Sequence, residues 1–156
     1  MGLEIERKFL VADDSYIAMA ERSCDILQYY LSTDADRTVR VRIAGDRAFL
    51  TVKGRNHGCV RSEWEYPVPV DDARGMIACC GDNGIAKTRY YVPFGGRVWE
   101  VDRFHGRLEG LTVAEVELPS ADAVVQLPPF VSREVTDDAR YYNSALSQPG
   151  ASVPVD

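Results

Sequence analysis

The segment from Glu4 to Val11 most constrains the fold of this chain, because polar and apolar residues alternate along it. Successive side chains of a β-strand point to opposite faces, so one face of this segment would carry two carboxylates and one ammonium group, from Glu4, Glu6 and Lys8. The two like charges repel each other, whereas a divalent cation would turn that repulsion into attraction. Alone, the segment is more typical of a solvated sheet face with mixed charge. Later strands with the same pattern change that interpretation.

Composition excludes several classes of function. The chain has 156 residues and a formal net charge of −6, which fits one domain and argues against a nucleic-acid partner. No apolar run approaches the roughly 18 residues of a membrane span, and the sequence starts with a charged strand rather than a signal-peptide pattern. Four cysteines lack zinc-site spacing and are expected to be reduced thiols of a cytoplasmic protein: Cys24, Cys59, Cys79 and Cys80.

Hydrophobic periodicity predicts mainly β structure with hairpin-like spacing, typical of an antiparallel sheet or barrel. The predicted strands are residues 3–11, 25–32, 37–43, 47–53, 59–68, 85–92, 97–105 and 111–118. The predicted helices are residues 15–22, 71–80, 120–128 and 136–147. Residues 1–147 are interpreted as one domain, and the Pro-, Gly- and Ser-containing residues 148–156 as a flexible C-terminal tail.

One parity of most strands is charged, and the other is apolar. The bases are Lys8, Arg40, Arg42, Lys53, Arg61, Lys87 and Arg89, and the acids are Glu4, Glu6, Glu63, Glu65, Glu100, Asp102, Glu115 and Glu117. Two architectures satisfy this pattern. Either the apolar face fills the interior of a barrel and the charges are solvated, or the charges line the interior and the apolar face lies outside beneath amphipathic helices. Periodicity alone does not separate them.

The type of residue bears on this choice. The charged parity is dominated by arginine and glutamate, often as same-sign pairs two residues apart: Arg40/Arg42, Glu63/Glu65 and Glu115/Glu117. Such pairs have no benefit on a simple surface. They have a function if the arginines bind polyanion oxygens and the glutamates hold hard divalent cations.

The ordered set of motifs resembles the CYTH superfamily, also called the triphosphate tunnel metalloenzymes, and most closely its short single-domain bacterial members. The residues that carry the resemblance are Glu4-Ile5-Glu6-Arg7-Lys8, Gln28-Tyr29-Tyr30-Leu31, Arg40-Val41-Arg42, Thr51-Val52-Lys53, Arg61-Ser62-Glu63-Trp64-Glu65, Lys87-Thr88-Arg89, Trp99-Glu100-Val101-Asp102, Phe104, Gly106, Ala114-Glu115-Val116-Glu117-Leu118 and Glu134-Val135-Thr136. The resemblance implies an α+β, mainly β fold: an eight-stranded antiparallel closed barrel, or tunnel, with a charged interior and a few short helices outside.

The resemblance also implies roles for individual residues. Glu4, Glu6 and Glu117 would hold an essential Mg²⁺ or Mn²⁺ ion, with Glu115, Glu63 and Glu65 available for a second ion or for ordering water. Phosphate oxygens would be bound by Lys8, Arg40, Arg42, Lys53, Arg61 and Arg89. A lysine–tyrosine pair that is proposed to activate water in short bacterial members corresponds to Lys87 and Tyr30. Arg140 is interpreted as mainly structural and is also a candidate for a phosphate contact, whereas Trp64, Trp99 and Tyr90 are expected in the core beneath the helices.

The implied activity is metal-dependent hydrolysis of the terminal phosphate of inorganic triphosphate, with nucleoside triphosphates as further substrates. The tunnel motifs alone leave three alternatives: an adenylate cyclase, a thiamine triphosphatase, or a polyphosphate- or nucleotide-binding module without turnover. No clear ring-binding motif is present, which favours the inorganic substrate, and every expected acidic ligand is present, which argues against a module without turnover. By analogy with the family, the chain is also a candidate homodimer.

Overall fold

Eight antiparallel strands close into a ring in the computed structural model, which describes residues 2–155. The strands are β1 (Gly2–Val11), β2 (Arg22–Ser32), β3 (Thr38–Ala44), β4 (Arg47–Lys53), β5 (Val60–Val68), β6 (Gly84–Phe94), β7 (Arg97–Phe104) and β8 (Thr112–Glu117). They are ordered β5-β4-β3-β2-β6-β7-β8-β1, and a pairing of β1 with β5 closes the ring. The predicted eight-stranded barrel is therefore confirmed. Met1 and Asp156, at the outer ends of the predicted domain and tail, lie outside the described residues.

A ninth strand and a few short helices lie outside the ring. Strand β9 (Val131–Glu134) pairs with the edge of β1, and this strand was not predicted from the sequence. The α-helices are α1 (Ser15–Met19), α2 (Val70–Ala78) and α3 (Asn143–Leu146), and two 3₁₀ turns span Gly106–Leu108 and Ala139–Tyr141. No helix within residues 2–155 is long and apolar enough to span a membrane.

The charged parity of the strands faces the interior of the barrel, which decides between the two architectures that the sequence allowed. Apolar side chains of the opposite parity are buried outside the ring. Phe9, Trp99 and Val101 pack with Tyr16 of α1 and with Phe130, while Val41 packs against α2. Since both faces of the sheet are covered, the charged face forms an enclosed interior rather than a solvated surface.

One end of the interior is apolar. Phe104 follows Asp102 on the inward parity of β7, and Ile85 precedes Lys87 on that of β6. These side chains pack with Tyr141 and Leu146 from the C-terminal segment, among other apolar residues. Arg107 also attaches this segment to the barrel, because its guanidinium donates hydrogen bonds to the carbonyls of Gly84, Leu146 and Gln148. The C-terminal segment therefore closes this end of the barrel.

Two predicted helices differ from the structure. The helix predicted for residues 120–128 is absent. Ala123 and Val125 pack against the outer core, while Val124 between them is 88% exposed. This alternation with a period of two is typical of an extended chain rather than of a helix. The helix predicted for residues 136–147 is broken into the second 3₁₀ turn and α3, because Tyr142 adopts an extended conformation. In addition, α1 ends at Met19 rather than at residue 22.

The predicted burial of the two tryptophans is half right. Trp99 has no exposed surface and packs against Phe9 in a tilted arrangement with ring centroids 5.6 Å apart. Trp64 is 40% exposed, because α2 packs over β2, β3 and β4 and leaves this part of β5 uncovered. Both tryptophans therefore lie on the outward face of their strands, but only the one on a covered strand is buried.

We expect Trp99→Ala to lower the free energy of unfolding by about 3–5 kcal/mol, because it removes a large, fully buried ring from the outer core. Trp64→Ala is the matched control, and it should cost about 1 kcal/mol or less because Trp64 is already partly solvated. Urea denaturation of both variants would measure the difference. Equal losses would mean that the outer face of β5 is covered in solution.

Candidate functional site

The barrel encloses a cavity of about 250 Å³ that is lined almost entirely by polar side chains. Within residues 2–155, seven carboxylates and six cationic side chains line it. The carboxylates are Glu4, Glu6, Glu63, Glu65, Glu100, Glu115 and Glu117, and the cations are Lys8, Arg40, Arg42, Lys53, Arg61 and Arg89. Tyr30 is also part of the wall. The barrel therefore brings together every residue named above as a metal, phosphate or water-activating candidate except Lys87 and Arg140.

Two glutamates meet on neighbouring strands at the acidic side of the cavity. Burial raises the pKa of Glu6 well above its ordinary value, and the adjacent Glu115 and Glu4 raise it further. Burial would also raise the pKa of Glu115, but Lys8, with Nζ 3.9 Å from Glu115 Oε1, and a hydrogen bond from Glu6 hold it well below the ordinary value. The pKa shifts of Glu6 and Glu115 therefore run in opposite directions, which favours one shared proton between the two carboxyl groups.

A second acidic pair surrounds Lys53. Its Nζ lies 3.2 Å from Glu4 Oε1 and 3.4 Å from Glu63 Oε2. Burial and the neighbouring Glu4 raise the pKa of Glu63 to about 7. Burial would raise the pKa of Glu4 as well, but the charge of Lys53 lowers it below the ordinary value. One lysine thus balances two carboxylates that face each other.

The chemistry of this acidic side fits a hard divalent cation. Its donors are all carboxylate oxygens, which Mg²⁺ and Mn²⁺ prefer. The described residues contain no group of three or more acidic, histidine or cysteine side chains already gathered around one point. Instead, Lys53 lies between Glu4 and Glu63, and the raised pKa of Glu6 favours a proton shared with Glu115. A bound cation would take over the role of these positive bridges.

The arginines on β3 and β5 are held mainly by neutral groups. Arg42 donates two hydrogen bonds to Gln28 Oε1, at 3.0 and 2.9 Å. Arg61 donates from Nε to the carbonyl of Gly54 at 2.6 Å and from Nη2 to Thr38 Oγ1 at 2.8 Å. Because amide, hydroxyl and carbonyl oxygens carry no net charge, these hydrogen bonds orient the two guanidinium groups without neutralising them.

Arg40 lies between them and is incompletely bonded. It is 6% exposed, and its buried Nε has no hydrogen-bond partner. Its Nη2 lies 3.3 Å from Thr51 Oγ1 and 3.6 Å from Glu65 Oε2. Burial lowers the pKa of the neighbouring Arg42 to about 10, and the positive charges of Arg40 and Arg89 contribute. Crowded cations and a free buried donor are what an anion-binding wall requires.

Lys87 and Arg89 share one buried carboxylate. Lys87 Nζ lies 2.6 Å from Asp102 Oδ2, and Arg89 donates two hydrogen bonds to Asp102 at 2.7 and 2.9 Å. Burial lowers the pKa of Lys87 to about 7, and Arg89 and Arg42 add to this effect although Asp102 opposes it. The side chain of Lys87 is fully buried and does not line the cavity. The expected water-activating lysine therefore lies behind the cavity wall.

Several lining residues were not identified from the sequence. Thr136, Tyr142, Asn143 and Ser144 come from the C-terminal segment, and the loop between β4 and β5 contributes Asn56, Gly58 and Cys59. Arg140, expected as a phosphate contact, instead pairs with Asp138 at 2.7 Å outside the cavity. The available signal for the C-terminal residues was a set of polar side chains on a short helix that follows the barrel. Outside the strands, however, the sequence has no two-residue alternation to indicate which side chains point into the cavity.

Comparison with known proteins places these features in a family context. The model of the CYTH domain family matches residues 2–147. An inorganic triphosphatase of Acetivibrio thermocellus is 46% identical over 147 residues, which cover 94% of each chain. An inorganic triphosphatase of Nitrosomonas europaea is 36% identical over 148 residues, which cover 92% of this chain and 96% of the relative. A crystal structure of an inorganic triphosphatase matches with a TM-score of 0.67 and 34% identity over 97% of both chains.

We expect Asp102→Asn to lower the free energy of unfolding by about 3–5 kcal/mol at neutral pH, because two buried cations lose their shared carboxylate. Glu100→Gln is the matched control: the side chain of Glu100 is one-third exposed and lies 3.2 Å from Arg89 Nη1, so this substitution should cost about 1 kcal/mol or less. Urea denaturation measures both losses.

The pH dependence gives a second measurement on the same variant. Burial raises the pKa of Asp102, but Arg89 and Lys87 bring it below the ordinary value. A carboxylate with a lowered pKa stabilises the fold above its unfolded pKa and loses that contribution as the pH falls. The difference in the free energy of unfolding between wild type and Asp102→Asn should therefore become smaller below about pH 4. A difference in unfolding free energy that stays constant below about pH 4 would contradict an ionised Asp102.

Proposed function

Because the chain belongs to the CYTH domain family, we propose that it hydrolyses the terminal phosphate of inorganic triphosphate with the aid of Mg²⁺ or Mn²⁺. One structural observation carries the proposal: Arg40, Arg42 and Arg61 line the cavity, and neutral groups rather than carboxylates accept the hydrogen bonds of Arg42 and Arg61. The names of the two relatives above support the inorganic substrate.

The cations would bind the substrate and stabilise the charge that develops during transfer. A guanidinium group can donate two parallel hydrogen bonds to a pair of phosphate oxygens. The buried Nε–H of Arg40 has no partner and can donate to such an oxygen. Lys8, Lys53 and Arg89 complete the set of phosphate-binding candidates. Positioning and charge stabilisation make up most of the catalysis of phosphoryl transfer, so a rigid cationic wall suits this reaction.

The carboxylates would hold the metal ion. Glu4, Glu6 and Glu117 are the first candidates, and Glu115, Glu63 and Glu65 would hold a second ion or order water. When bound, such an ion polarises phosphoryl oxygens and lowers the pKa of coordinated water. The chain's own contribution is to gather several carboxylates in the same cavity as the phosphate-binding cations.

Water would be activated near Tyr30 and Lys87. Tyr30 is 4% exposed and lines the cavity, so its hydroxyl group is within the enclosed space. Lys87 has a pKa of about 7, so a substantial fraction is neutral near neutral pH and able to accept a proton. An in-line attack by the activated water on the terminal phosphorus completes the proposed hydrolysis.

The wider setting follows from the same proposal. Cys24, Cys59, Cys79 and Cys80 are free thiols, which supports a cytoplasmic location. The net charge of −6 supports the expectation that the chain has no nucleic-acid partner. A homodimer remains an expectation by analogy.

The deciding experiment compares phosphate release from tripolyphosphate, ATP and thiamine triphosphate, with Mg²⁺, with Mn²⁺ and with EDTA. We expect metal-dependent release mainly from tripolyphosphate. Glu6→Gln should lower the rate at least about 100-fold, because an amide replaces an oxygen ligand that binds as an anion. Glu109→Gln, at an exposed site outside the cavity, is the matched control.

The other outcomes identify the alternatives. Release of pyrophosphate from ATP without release of phosphate would replace the proposal by an adenylate cyclase. Preferred turnover of thiamine triphosphate would indicate a thiamine triphosphatase. Binding of tripolyphosphate without turnover in any condition would indicate a binding module.

The cationic wall has its own test in ligand-induced stabilisation. Tripolyphosphate at 100 times its Kd should add about 2.7 kcal/mol to the free energy of unfolding of the wild-type protein. Arg40→Met should weaken the affinity at least about tenfold, because it removes a charge-assisted donor from the enclosed cavity. Arg37→Met, on the exposed turn before β3, should leave the affinity unchanged. Equal affinities of the two variants would place the ligand elsewhere.

A further inference from the structure

Lys87 is separated from the cavity by its own partners. Its Nζ contacts Asp102 Oδ2 at 2.6 Å and Asn143 Oδ1 at 3.3 Å, and it lies 5.5 Å from the centroid of the Phe104 ring. Of these partners, only Asn143 also lines the cavity. Lys87 is therefore connected to the cavity directly through the side chain of Asn143, and indirectly through Asp102 and its other partner, Arg89.

Asn143 has the bonding capacity to connect the two. It is the first residue of α3 and is half-buried. Its Oδ1 accepts a hydrogen bond from Lys87, and its Nδ2 donates to no other residue in the described part of the chain. An amide group has two donor hydrogens and an acceptor oxygen, so Nδ2 remains able to donate to an oxygen atom in the cavity.

We propose that Asn143 is a positioning residue for the hydrolysis: its Oδ1 holds the amine of Lys87 at the cavity wall while its Nδ2 donates to an oxygen of the bound triphosphate. The inference rests on the proposed function, since it concerns the same cavity. It assigns a role to a helix that the barrel motifs do not include, and it explains how a fully buried lysine contributes to the site.

The neutrality of Asn143 matters because charged groups already surround Lys87. Asp102 of β7 and Glu115 of β8 favour the ammonium form, whereas Arg89 of β6 and Arg42 of β3 disfavour it. An asparagine adds a hydrogen-bond acceptor without adding another charge. An aspartate at the same position would instead favour the protonated lysine.

The fold does not depend on the Asn143 side chain. Helix α3 is attached by Leu146, which is 2% exposed in the apolar end of the barrel, and by the hydrogen bond from Arg107 to the Leu146 carbonyl. Removal of the amide should therefore leave the closed end in place. This separates a positioning role from a structural one.

The first test compares Asn143→Ala with wild type in steady-state hydrolysis of tripolyphosphate. We expect kcat to fall at least about tenfold, since both hydrogen bonds of the amide are lost. Gln148→Ala is the matched control, because Gln148 Nε2 donates to the Ser144 carbonyl and supports the same helix without lining the cavity. Unchanged kcat in Asn143→Ala, or an equal loss in Gln148→Ala, would overturn the proposal.

The second test uses the isosteric Asn143→Asp variant and the pH profile of kcat. The added carboxylate should move the ascending limb, assigned to Lys87, to higher pH by about one unit or more. A limb that stays in place would overturn the link between Asn143 and Lys87. The same-sized side chain keeps this test valid if Asn143→Ala does not fold, which urea denaturation would show.

The two proposals fail in different ways. If the wild-type protein releases no phosphate from any triphosphate, the proposed function fails, and Asn143 is then tested by thermal stabilisation with tripolyphosphate. Weaker stabilisation of Asn143→Ala than of Gln148→Ala would retain Asn143 as a ligand contact. Equal thermal stabilisation of the two variants would show that Asn143 does not contact the ligand.

Discussion

The structure depends on the closure of β1 against both β8 and β5, because this closure converts an alternating sheet face into an enclosed interior. Glu6 pairs in register with Glu117, and Glu4 with Arg61, on the two sides of the same strand. Without the second pairing, the charged face would be open to water and its charges would be screened. With it, seven carboxylates and six cations share one cavity of about 250 Å³.

Burial of so many charges is unfavourable unless each has a partner. The barrel meets this requirement by placing acids and bases on neighbouring strands. Lys8 of β1 pairs with Glu115 of β8, and Arg89 of β6 pairs with Asp102 of β7. The hydrophobic stabilisation comes instead from the outside of the ring and from one closed end, around Trp99 and Phe104. An inverted barrel of this kind is stable because its apolar core has been moved to the opposite face of the same strands.

Strand parity predicted much of this arrangement, since a period of two fixes which side chains share a face. Arg40, Arg42, Glu115 and Glu117 follow from it directly. Parity does not specify how deeply a side chain is buried. Lys87 has the inward parity, yet Asp102 and Asn143 cover its amine. The contact with Asn143 depends on a helix 56 residues away in the chain. The loss of the predicted helix at residues 120–128 has a similar cause, because the outer core binds that segment in an extended form.

The neutral partners of Arg42 and Arg61 explain how an acidic protein can hold a polyanion. Lys8 and Lys53 are held by carboxylates, so their charges are used within the protein. Arg42 and Arg61 are held by an amide, a hydroxyl and a carbonyl, which orient the guanidinium groups without neutralising them. The net charge of −6 is therefore a poor guide to the local field, because these guanidinium groups line an enclosed cavity and their hydrogen-bond partners are neutral. An anionic ligand would add negative charge directly at these guanidinium groups, where the protein's own hydrogen-bond acceptors are neutral.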